Sequence, residues 1–523
     1  KLCICEETAC DPDHCPYAKG HFDRINEAVY DLWTSGPDSL TREVILEQAH
    51  KYRVCPFELN LDLSTWMDVI VCDYNYVFDP RVYLKRFFAD GIGKRDYVFL
   101  IDETHNLLDR GREMYSAALL KDAFLKAKRL IKEVSPKVAS HLDKCNKEML
   151  AMKRQCESFR REERIDGFVA ALNRLYGAID DFIDEHDTFP NKKELLEFYF
   201  EVAHFLNMYE IVDDHYVVYS QLMEDGNFML KLFCVDPSRN LQRCMQKGRS
   251  TVLFSATLLP IQYYKRLLGG EPTDYEVYAK SAFDESKKAL LIANDVTSKY
   301  TRRGDEEFQR IARYIHEVVT QRHGNYMVFL PSHLFLEQIY NRFMEMFYDA
   351  DTMECIVQGD YMSEAQREEF LLRFQGNENG GPAGSVDAGI EGAKDFILFG
   401  FCVMGGIFSE GIDLKHDSLI GAIIVGTGIP QVGCERQFLK EYFDAHGENG
   451  FDYAYRYPGM NKVLQSAGRV IRTADDIGVV ALLDERFLEP QYRRMFPREW
   501  SQYDIVNVSQ VSEKVERFWN EWL

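Results

Sequence analysis

The segment YVFLIDETHNLLD, residues 97–109, decides the fold class of this chain. Its first five residues are apolar without polar alternation, the pattern of a strand buried on both faces of a parallel sheet. The run stops at two adjacent carboxylates, Asp102 and Glu103. Five further segments share this form: TVLFSAT (251–257), YMVFLPS (326–332), FILFGFC (396–402), AIIVGTG (422–428) and VVALLDE (479–485). Helical patterns such as EEFQRIARYIHEVV (306–319) lie between several of them, which predicts alternating α/β units. In open parallel sheets ligands bind beyond the carboxyl ends of the strands. That rule nominates Asp102-Glu103, Ser255-Ala256-Thr257, Pro331-Ser332 and Asp484-Glu485 as site residues rather than core.

Between the first two of these strands the pattern changes. Over 113–232 helical spacing dominates, with Leu120, Phe124, Ile131 and Val134 on one face and a long apolar stripe in KELLEFYFEVAHFLNMYEIV (193–212). The basic stretches KAKRLIKE and KRQCESFRREER read as solvated helix faces, so an inserted all-helical domain is expected. The stretch QGNENGGPAGSVDAGIEGAK (375–394) is rich in glycine and poor in apolar residues. It reads as a loop, and no GKT or GKS follows it to make a phosphate cradle.

The whole chain has 523 residues, of which 46% are apolar and 28% charged, enough to bury substantial cores. At roughly 100–200 residues per domain, three or four structural units are expected. Lys and Arg number 62 against 84 Asp and Glu, a net charge of −22. A uniformly basic, nucleic-acid-coating protein is thereby excluded, whereas a local basic channel is not. No run of 18 apolar residues occurs and KLCICEETAC has no signal-peptide pattern, so a cytoplasmic chain with no membrane association is expected. Residue 1 is Lys rather than Met, which leads us to expect a part of something longer.

The 13 cysteines are unevenly placed. Cys3, Cys5, Cys10 and Cys15 crowd the first fifteen residues and Cys55 follows in RVCPFEL, whereas the other eight are scattered singly and read as small buried hydrophobes. Soft thiolate donors close a zinc or an iron–sulfur site in sets of four. The spacing lacks paired CxxC knuckles and leaves both metals open, with five cysteines competing for four positions.

Three segments bear chemistry. In FLIDETHNLLD, one carboxylate suits water-mediated Mg²⁺ binding and the other polarisation of an attacking water, with His105 placed to couple the site to a neighbouring domain. In TVLFSATLLP, the hydroxyls of Ser255 and Thr257 lie at a strand end, where they can sense a phosphate or carboxylate. The third comprises GGIFSEGIDL (405–414) and GMNKVLQSAGRVIRTADDIGVVALLDERF (459–487), in which Gln465, Arg469 and Arg472 fall at spacings four and three. That spacing predicts one helix face bearing two guanidiniums, a fit for charge on a transferring phosphoryl group.

The order DETH, SATL, SEGIDL, QSAGRVIR, LLDERF resembles motifs II, III, V and VI of superfamily 2 helicases, and more narrowly the XPD/DinG branch. WMDVIVCDYNYVFDPRVYLKRFFADGIGKRDYVFLIDETHN (66–106) is similar to that family's stretch between its last cluster cysteine and motif II, and the SATL form leans toward bacterial DinG-like proteins. The resemblance implies two RecA-like parallel-sheet motor domains, the first incomplete, with a helical arch domain and a small iron–sulfur domain. The implied division is 1–60 for the iron–sulfur domain, 61–112 with 233–268 for the rest of motor domain 1, 113–232 for the arch and 269–523 for motor domain 2.

The resemblance further implies a [4Fe–4S] cluster on Cys3, Cys10, Cys15 and Cys55, with Cys3 preferred to Cys5. ATP and Mg²⁺ are the implied cofactors. Asp102 and Glu103 take the Mg²⁺ and water role, and His105 couples hydrolysis to motion. Glu410, Gly411 and Asp413 belong to motif V, while Gln465, Gly468, Arg469 and Arg472 face the triphosphate together with Ser255 and Thr257. The implied activity is 5′→3′ translocation of a monomer along single-stranded DNA, opening forked or looped duplex in repair or replication. Phe57, Tyr74 and Tyr76 lie near the cluster cysteines and could stack on bases, although core packing is the commoner fate of an aromatic residue.

Two departures from the family pattern stand out. Thr104 occupies a position where Ala is commoner, and the phosphate-binding loop GxxxxGK[ST] is absent from all 523 residues. Without its amides and Lys, little holds the β and γ phosphates, so these residues alone are expected to be inactive. The rival reading is a DNA-binding or assembly module with a structural metal cluster and no motor. Retention of Glu103, Arg469 and Arg472 weighs against it, and no extra carboxylate cluster supports a fused nuclease.

Overall fold

The computed structural model describes residues 15–88, 97–186, 189–375, 396–409, 414 and 418–522. The chain divides into two compact units, Lys1–Tyr76 and Val77–Leu523.

In the first unit three helices, His21–Ser35, Arg42–Tyr52 and Pro56–Ser64, surround one small core. Ile25, Ala28 and Leu32 recur at helical spacing and meet Ile45, Ala49, Val54, Leu59 and Leu63. Thr41 caps the second helix and Pro56 opens the third, where its missing N–H costs nothing. The Gln48 amide donates to the Ala28 carbonyl at 3.0 Å and to Asp31 at 2.9 Å, joining the first two helices. Bonds from Lys51 and Gln48 hold the Asp31 carboxyl down at about 2.

Thirteen strands occur among the described residues of the second unit: β1 (Val98–Ile101), β2 (Ala117–Leu120), β3 (Phe159–Arg161), β4 (Tyr216–Leu222), β5 (Phe228–Cys234), β6 (Ser250–Leu253), β7 (Lys288–Ala293), β8 (Gly324–Leu330), β9 (Met353–Val357), β10 (Ile397–Val403), β11 (Gly421–Val425), β12 (Gly478–Leu483) and β13 (Asp504–Val506). Seven form one parallel sheet in the order β13-β7-β12-β11-β8-β10-β9. Its central strands β12, β11 and β10 are apolar because helices cover both faces. On one face Ile311, Ile315, Phe335, Phe343 and Trp519 pack from helices Asp305–Val319, His333–Met346 and Val511–Trp522. On the other, Phe370, Phe374, Met460 and Val463 pack from helices Glu364–Gln375 and Tyr457–Ala467.

All six expected strands are present, yet β1 departs from the expected burial. It pairs in parallel with β6 alone among the described residues, Ile101 opposite Leu253. Phe99 and Ile101 are buried, but Val98 and Leu100 are 57% and 67% exposed, because no helix or strand among the described residues covers that face.

The insertion also departs from expectation. It has four long helices, Lys121–Ile131, Pro136–Lys153, Asp166–Glu185 and Lys192–Glu210, as its spacing predicts. It is not all-helical, however: it contains an antiparallel sheet of order β2-β5-β4-β3, with β2, β4 and β5 from its two chain ends and β3 from its middle. The physical reason is legible in hindsight. Residues 223–227 (MEDGN) form a turn with Gly226 at φ +80°, closed by the Met223 N–H on the Asn227 carbonyl at 2.8 Å. This joins two β-branched and aromatic runs as a hairpin, whose Phe228, Leu230 and Leu232 are fully buried. Phe124 and Ile131 are buried as expected, whereas Leu120 and Val134 on the same stripe are each 40% exposed.

Two strand ends nominated for ligand binding serve structure instead. Ser332 caps helix His333–Met346 by accepting the Phe335 N–H at 3.3 Å. Asp484 is wholly buried, accepting from the Ser298 N–H at 2.8 Å and from the Arg486 guanidinium at 2.8 and 2.9 Å. Burial opposes its ionisation, but the bonds and charge of Arg486 prevail and the carboxyl lies below its ordinary range. No helix among the described residues is long and apolar enough to cross a membrane.

Candidate functional site

The parallel register of β1 and β6 sets their carboxyl ends side by side, and the candidate site grows from this pair. After Ile101 the chain turns sharply: Glu103 adopts a left-handed conformation, φ 48°, and helix Thr104–Met114 starts at once. The Asp102 carboxylate accepts the Glu103 N–H at 2.7 Å, which stabilises this turn. One residue into the helix, His105 is turned toward the end of β6.

Its ring is held at both nitrogens. Gln465, on helix Tyr457–Ala467 of the other lobe, presents its amide nitrogen 2.5 Å from His105 Nε2. The amide in this orientation can donate to Nε2. Nδ1 lies 2.7 Å from Ser255 Oγ and 3.3 Å from Glu103 Oε2, while the Ser255 hydroxyl lies 3.3 Å from the same carboxylate oxygen. A polar chain therefore runs from Gln465 through His105 and Ser255 to Glu103. It crosses between the lobes.

The second lobe's contribution differs from the expected single helix face. Helix Tyr457–Ala467 ends at Gly468, whose N–H bonds to the Leu464 carbonyl at 2.9 Å. Arg469 and Arg472 therefore lie beyond the helix and do not share its face with Gln465. The continuation is fixed by Asp476, which accepts the backbone N–H groups of Arg472 and Thr473 at 2.7 Å each. Arg469 is buried and donates from Nε and Nη2 to the Ser409 carbonyl at 3.1 and 2.5 Å. Ser409 in turn accepts the Gly405 N–H at 2.9 Å. Gly405 has φ +74°, a left-handed conformation that favours glycine, and a Cβ there would meet the Lys462 stem at 2.8 Å.

These elements bound one cleft of about 2840 Å³ between the lobes. Glu103, His105, Ser255, Thr257, Gln465, Gly468, Arg469 and Arg472 all line it, whereas Asp102 does not. The buried Thr257 hydroxyl makes no hydrogen bond among the described residues. Glu410, Gly411 and Asp413 lie outside the described residues, as do Cys3, Cys5 and Cys10.

Deeper along helix Thr104–Met114 is a group that sequence reasoning missed. Buried Arg112 donates to Asp109 at 2.8 Å and to the Val235 carbonyl at 3.1 Å. Burial works against ionisation of Asp109, but the charges of Arg112, Arg436 and Lys462 outweigh it and lower its pKa. The i,i+3 spacing of Asp109 and Arg112 was a visible signal; the arrival of Arg436 and Lys462 from the other lobe was not.

In the first unit, Cys15 and Cys55 are half-buried with free thiols. Cys55 stands immediately before helix Pro56–Ser64, and its N–H donates to His21 Nδ1 at 3.2 Å. The donor chemistry of these two thiols fits a soft metal or an iron–sulfur cluster. Phe57, Tyr74 and Tyr76 are half-buried in the same unit.

Comparison with known proteins gives a consistent picture. A family model described as the helicase C-terminal domain matches residues 315–503, and the DEAD_2 family model matches residues 1–124. The chain is 25% identical over 451 residues to the ATP-dependent DNA helicase XPD of Sulfolobus acidocaldarius, covering 83% of this chain and 72% of that protein. It is 20% identical over 511 residues to the ATP-dependent DNA helicase CHL1 of Eremothecium gossypii, covering 87% of this chain and 60% of that one. A shorter stretch of 101 residues is 40% identical to the ATP-dependent DNA helicase DinG of Photobacterium profundum, covering 19% of this chain and 14% of that protein. A solved XPD helicase structure superposes with a TM-score of 0.55 at 21% identity, over 95% of this chain and 85% of the other, which shows a shared fold. The chain thus spans 72% and 60% of the lengths of two full relatives.

Proposed function

We propose, for a chain that belongs to the XPD/DinG-like helicases of superfamily 2, that the complete protein is an ATP-dependent DNA helicase moving 5′→3′ along single-stranded DNA and opening forked or looped duplex. One observation carries this reading: Gln465 of one lobe bonds to His105 of the other, and His105 reaches Glu103 through Ser255. A cleft wired in this way can convert a change at a phosphate into relative movement of two lobes.

In this reading Asp102 and Glu103 serve Mg²⁺ and the attacking water; paired carboxylates at a strand end suit a hard cation that keeps its waters. Glu103 orients the water, and His105 reports its state to Gln465. Arg472 and Gly468 face the triphosphate, and Thr257 offers its buried hydroxyl to the same space. Arg469 acts first as a tie to the Ser409 carbonyl, and Glu410, Gly411 and Asp413 follow in the sequence as the motif V residues. Cys3, Cys10, Cys15 and Cys55 would hold a [4Fe–4S] cluster, whose tetrathiolate ligation ties distant chain segments together in a small unit. We keep the division into iron–sulfur domain (1–60), motor domain 1 (61–112 and 233–268), arch (113–232) and motor domain 2 (269–523), in a monomeric cytoplasmic protein acting in DNA repair or replication.

The 523 residues contain no GxxxxGK[ST] sequence, so we further propose that they hydrolyse ATP poorly by themselves. The same observation favours the rival reading, a DNA-binding module without a motor. Steady-state ATP hydrolysis with and without single-stranded DNA, measured on these residues and on the complete protein, separates the two. DNA-stimulated turnover by the complete protein, abolished by Glu103→Gln, supports the motor. A complete protein that binds DNA but never turns ATP over establishes the module.

A further inference from the structure

We propose that Thr104 is a positioning residue: its hydroxyl latches the end of β1 to the end of β6 and thereby sets Ser255 at hydrogen-bonding distance from His105. The inference rests on the reading of the cleft as an ATP-hydrolysing site, and it concerns the residue by which this chain departs from the commoner Ala.

The parallel ladder between the two strands runs from Val98 opposite Ser250 to Ile101 opposite Leu253. Its last rung is the Phe254 N–H on the Ile101 carbonyl, at 3.0 Å. Beyond that rung β1 has no more strand to offer, because Glu103 is left-handed and the chain turns into a helix. Past that rung the ladder offers the Phe254 carbonyl no further strand partner. Thr104 supplies two donors. Its backbone N–H lies 3.3 Å from the Phe254 oxygen and its Oγ1 lies 2.7 Å from it. The hydroxyl is also 3.2 Å from the Ile101 carbonyl, but it has one proton, which the shorter contact takes.

The Phe254 carbonyl belongs to the peptide plane from which Ser255 starts. Fixing that oxygen fixes the direction in which the Ser255 side chain leaves the backbone, and Ser255 Oγ is the atom 2.7 Å from His105 Nδ1. Three consecutive residues at the start of the helix are thus tied to two consecutive residues at the end of β6. Glu103 and His105 reach Ser255, and Thr104 between them reaches Phe254. Thr104 is fully buried, so water cannot replace its hydroxyl. A methyl group in its place would fill the space and leave the geometry of Ser255 loosely determined.

Thr104→Val keeps the volume and removes the donor; Thr104→Ser keeps the donor and removes the methyl. Amide hydrogen exchange on the 523-residue chain reads the latch without any need for activity. Thr104→Val should speed exchange about fivefold or more in peptides covering 101–106 and 252–257, leave β8 and β11 unchanged, and be reversed by Thr104→Ser. In the complete protein, Thr104→Val should lower DNA-stimulated kcat about tenfold with KM for ATP within about twofold, and Thr104→Ser should recover most of the loss. Wild-type exchange in the Val variant, or a Ser variant as impaired as Val, overturns the latch. Faster exchange with an unchanged kcat overturns the positioning role. If the unsubstituted complete protein lacks ATPase activity, the proposed function fails, and the exchange experiment still decides whether the latch exists.

Discussion

His105 and Gln465 stand 360 residues apart in the chain and meet with 2.5 Å between ring and amide nitrogens. His105 comes from the helix that follows β1 and Gln465 from a helix packed on the seven-stranded sheet, so the bond exists only while the cleft between the lobes is closed to this extent. Through it Glu103, in contact with His105 directly and by way of Ser255, is connected to the second lobe. Gln465→Leu should preserve the fold, since Leu is of similar size, and should cut DNA-stimulated kcat of the complete protein by about ten- to a hundredfold. Steady-state kinetics checks this; a variant with wild-type stimulation would remove the cross-lobe bond from the mechanism.

Arg469 and Arg472 are expected to respond differently to the same substitution. The Arg469 guanidinium donates twice to one carbonyl, a geometry that an ammonium cannot reproduce. Arg469→Lys should therefore cost about 1–3 kcal/mol of stability in addition to activity. Arg472→Lys should lower turnover with a smaller change in melting temperature. Calorimetric melting of both variants is the check.

Buried Asp484 binds Arg486 and the Ser298 N–H between β12 and the segment after β7. Removing its charge leaves Arg486 buried without its carboxylate, and Asp484→Asn should destabilise the second lobe by about 3–5 kcal/mol. Urea unfolding monitored at Trp500 and Trp519, in the cores on the two faces of the sheet, would show it. A shift below about 1 kcal/mol would contradict this account of the pair.

Acid should loosen the first unit in a defined window. The folded Asp31 carboxyl is held at about 2 against an ordinary value of 3.8. A lowered folded pKa adds stability that is complete above the unfolded value and disappears as pH falls through the folded one. The contribution of Asp31 is therefore whole above pH 3.8 and lost by about pH 2. Asp31→Asn should flatten the acid-stability profile over that interval. Fluorescence of Trp33 and Trp66, whose rings lie 6.0 Å apart in this unit, provides the readout.

The sheet of the insertion rests on helix Cys434–Ala445 of the second lobe. Glu435 accepts from Lys231 at 2.5 Å and from the Tyr219 hydroxyl at 2.7 Å, and Arg161 pairs with Glu441 at 2.6 Å. Phe438 packs between the Phe159 and Tyr219 rings, at 5.7 and 5.1 Å. Glu435→Lys faces Lys231 with a like charge and should lower the unfolding midpoint of the second unit. The double variant Lys231→Glu/Glu435→Lys should recover about half of that loss or more, as a double-mutant cycle would measure.

Cluster chemistry is checked most directly by colour and metal. Protein purified without oxygen should carry about four irons per chain and absorb in the visible, and Cys55→Ser should lose both. Stoichiometric zinc in place of iron would overturn the cluster assignment while leaving the thiolate site.

The local arithmetic of residues was enough for the six apolar strands, the long helices of the insertion and the succession of polar strand ends from Asp102 to Asp484. Strand and helix periods are short-range properties, readable wherever one side of an element faces a core. The hairpin of β4 and β5 was equally local, signalled by MEDGN, and was obscured only by the helices around it. Which polar strand ends converge is a different kind of question. Asp484 and Glu103 look alike in sequence, yet one is buried against Arg486 and the other lines the cleft. The division depends also on distant partners, Ser298 for Asp484 and Ser255 for Glu103, and such encounters are set by how strands and lobes pack. The same is true of Arg469, which is spaced for a helix face but turned to the Ser409 carbonyl once Gly468 ends the helix. Chemistry-bearing residue types were legible in one dimension; their working pairs were decided in three, because hydrogen bonds between distant segments depend on distances that no local pattern encodes.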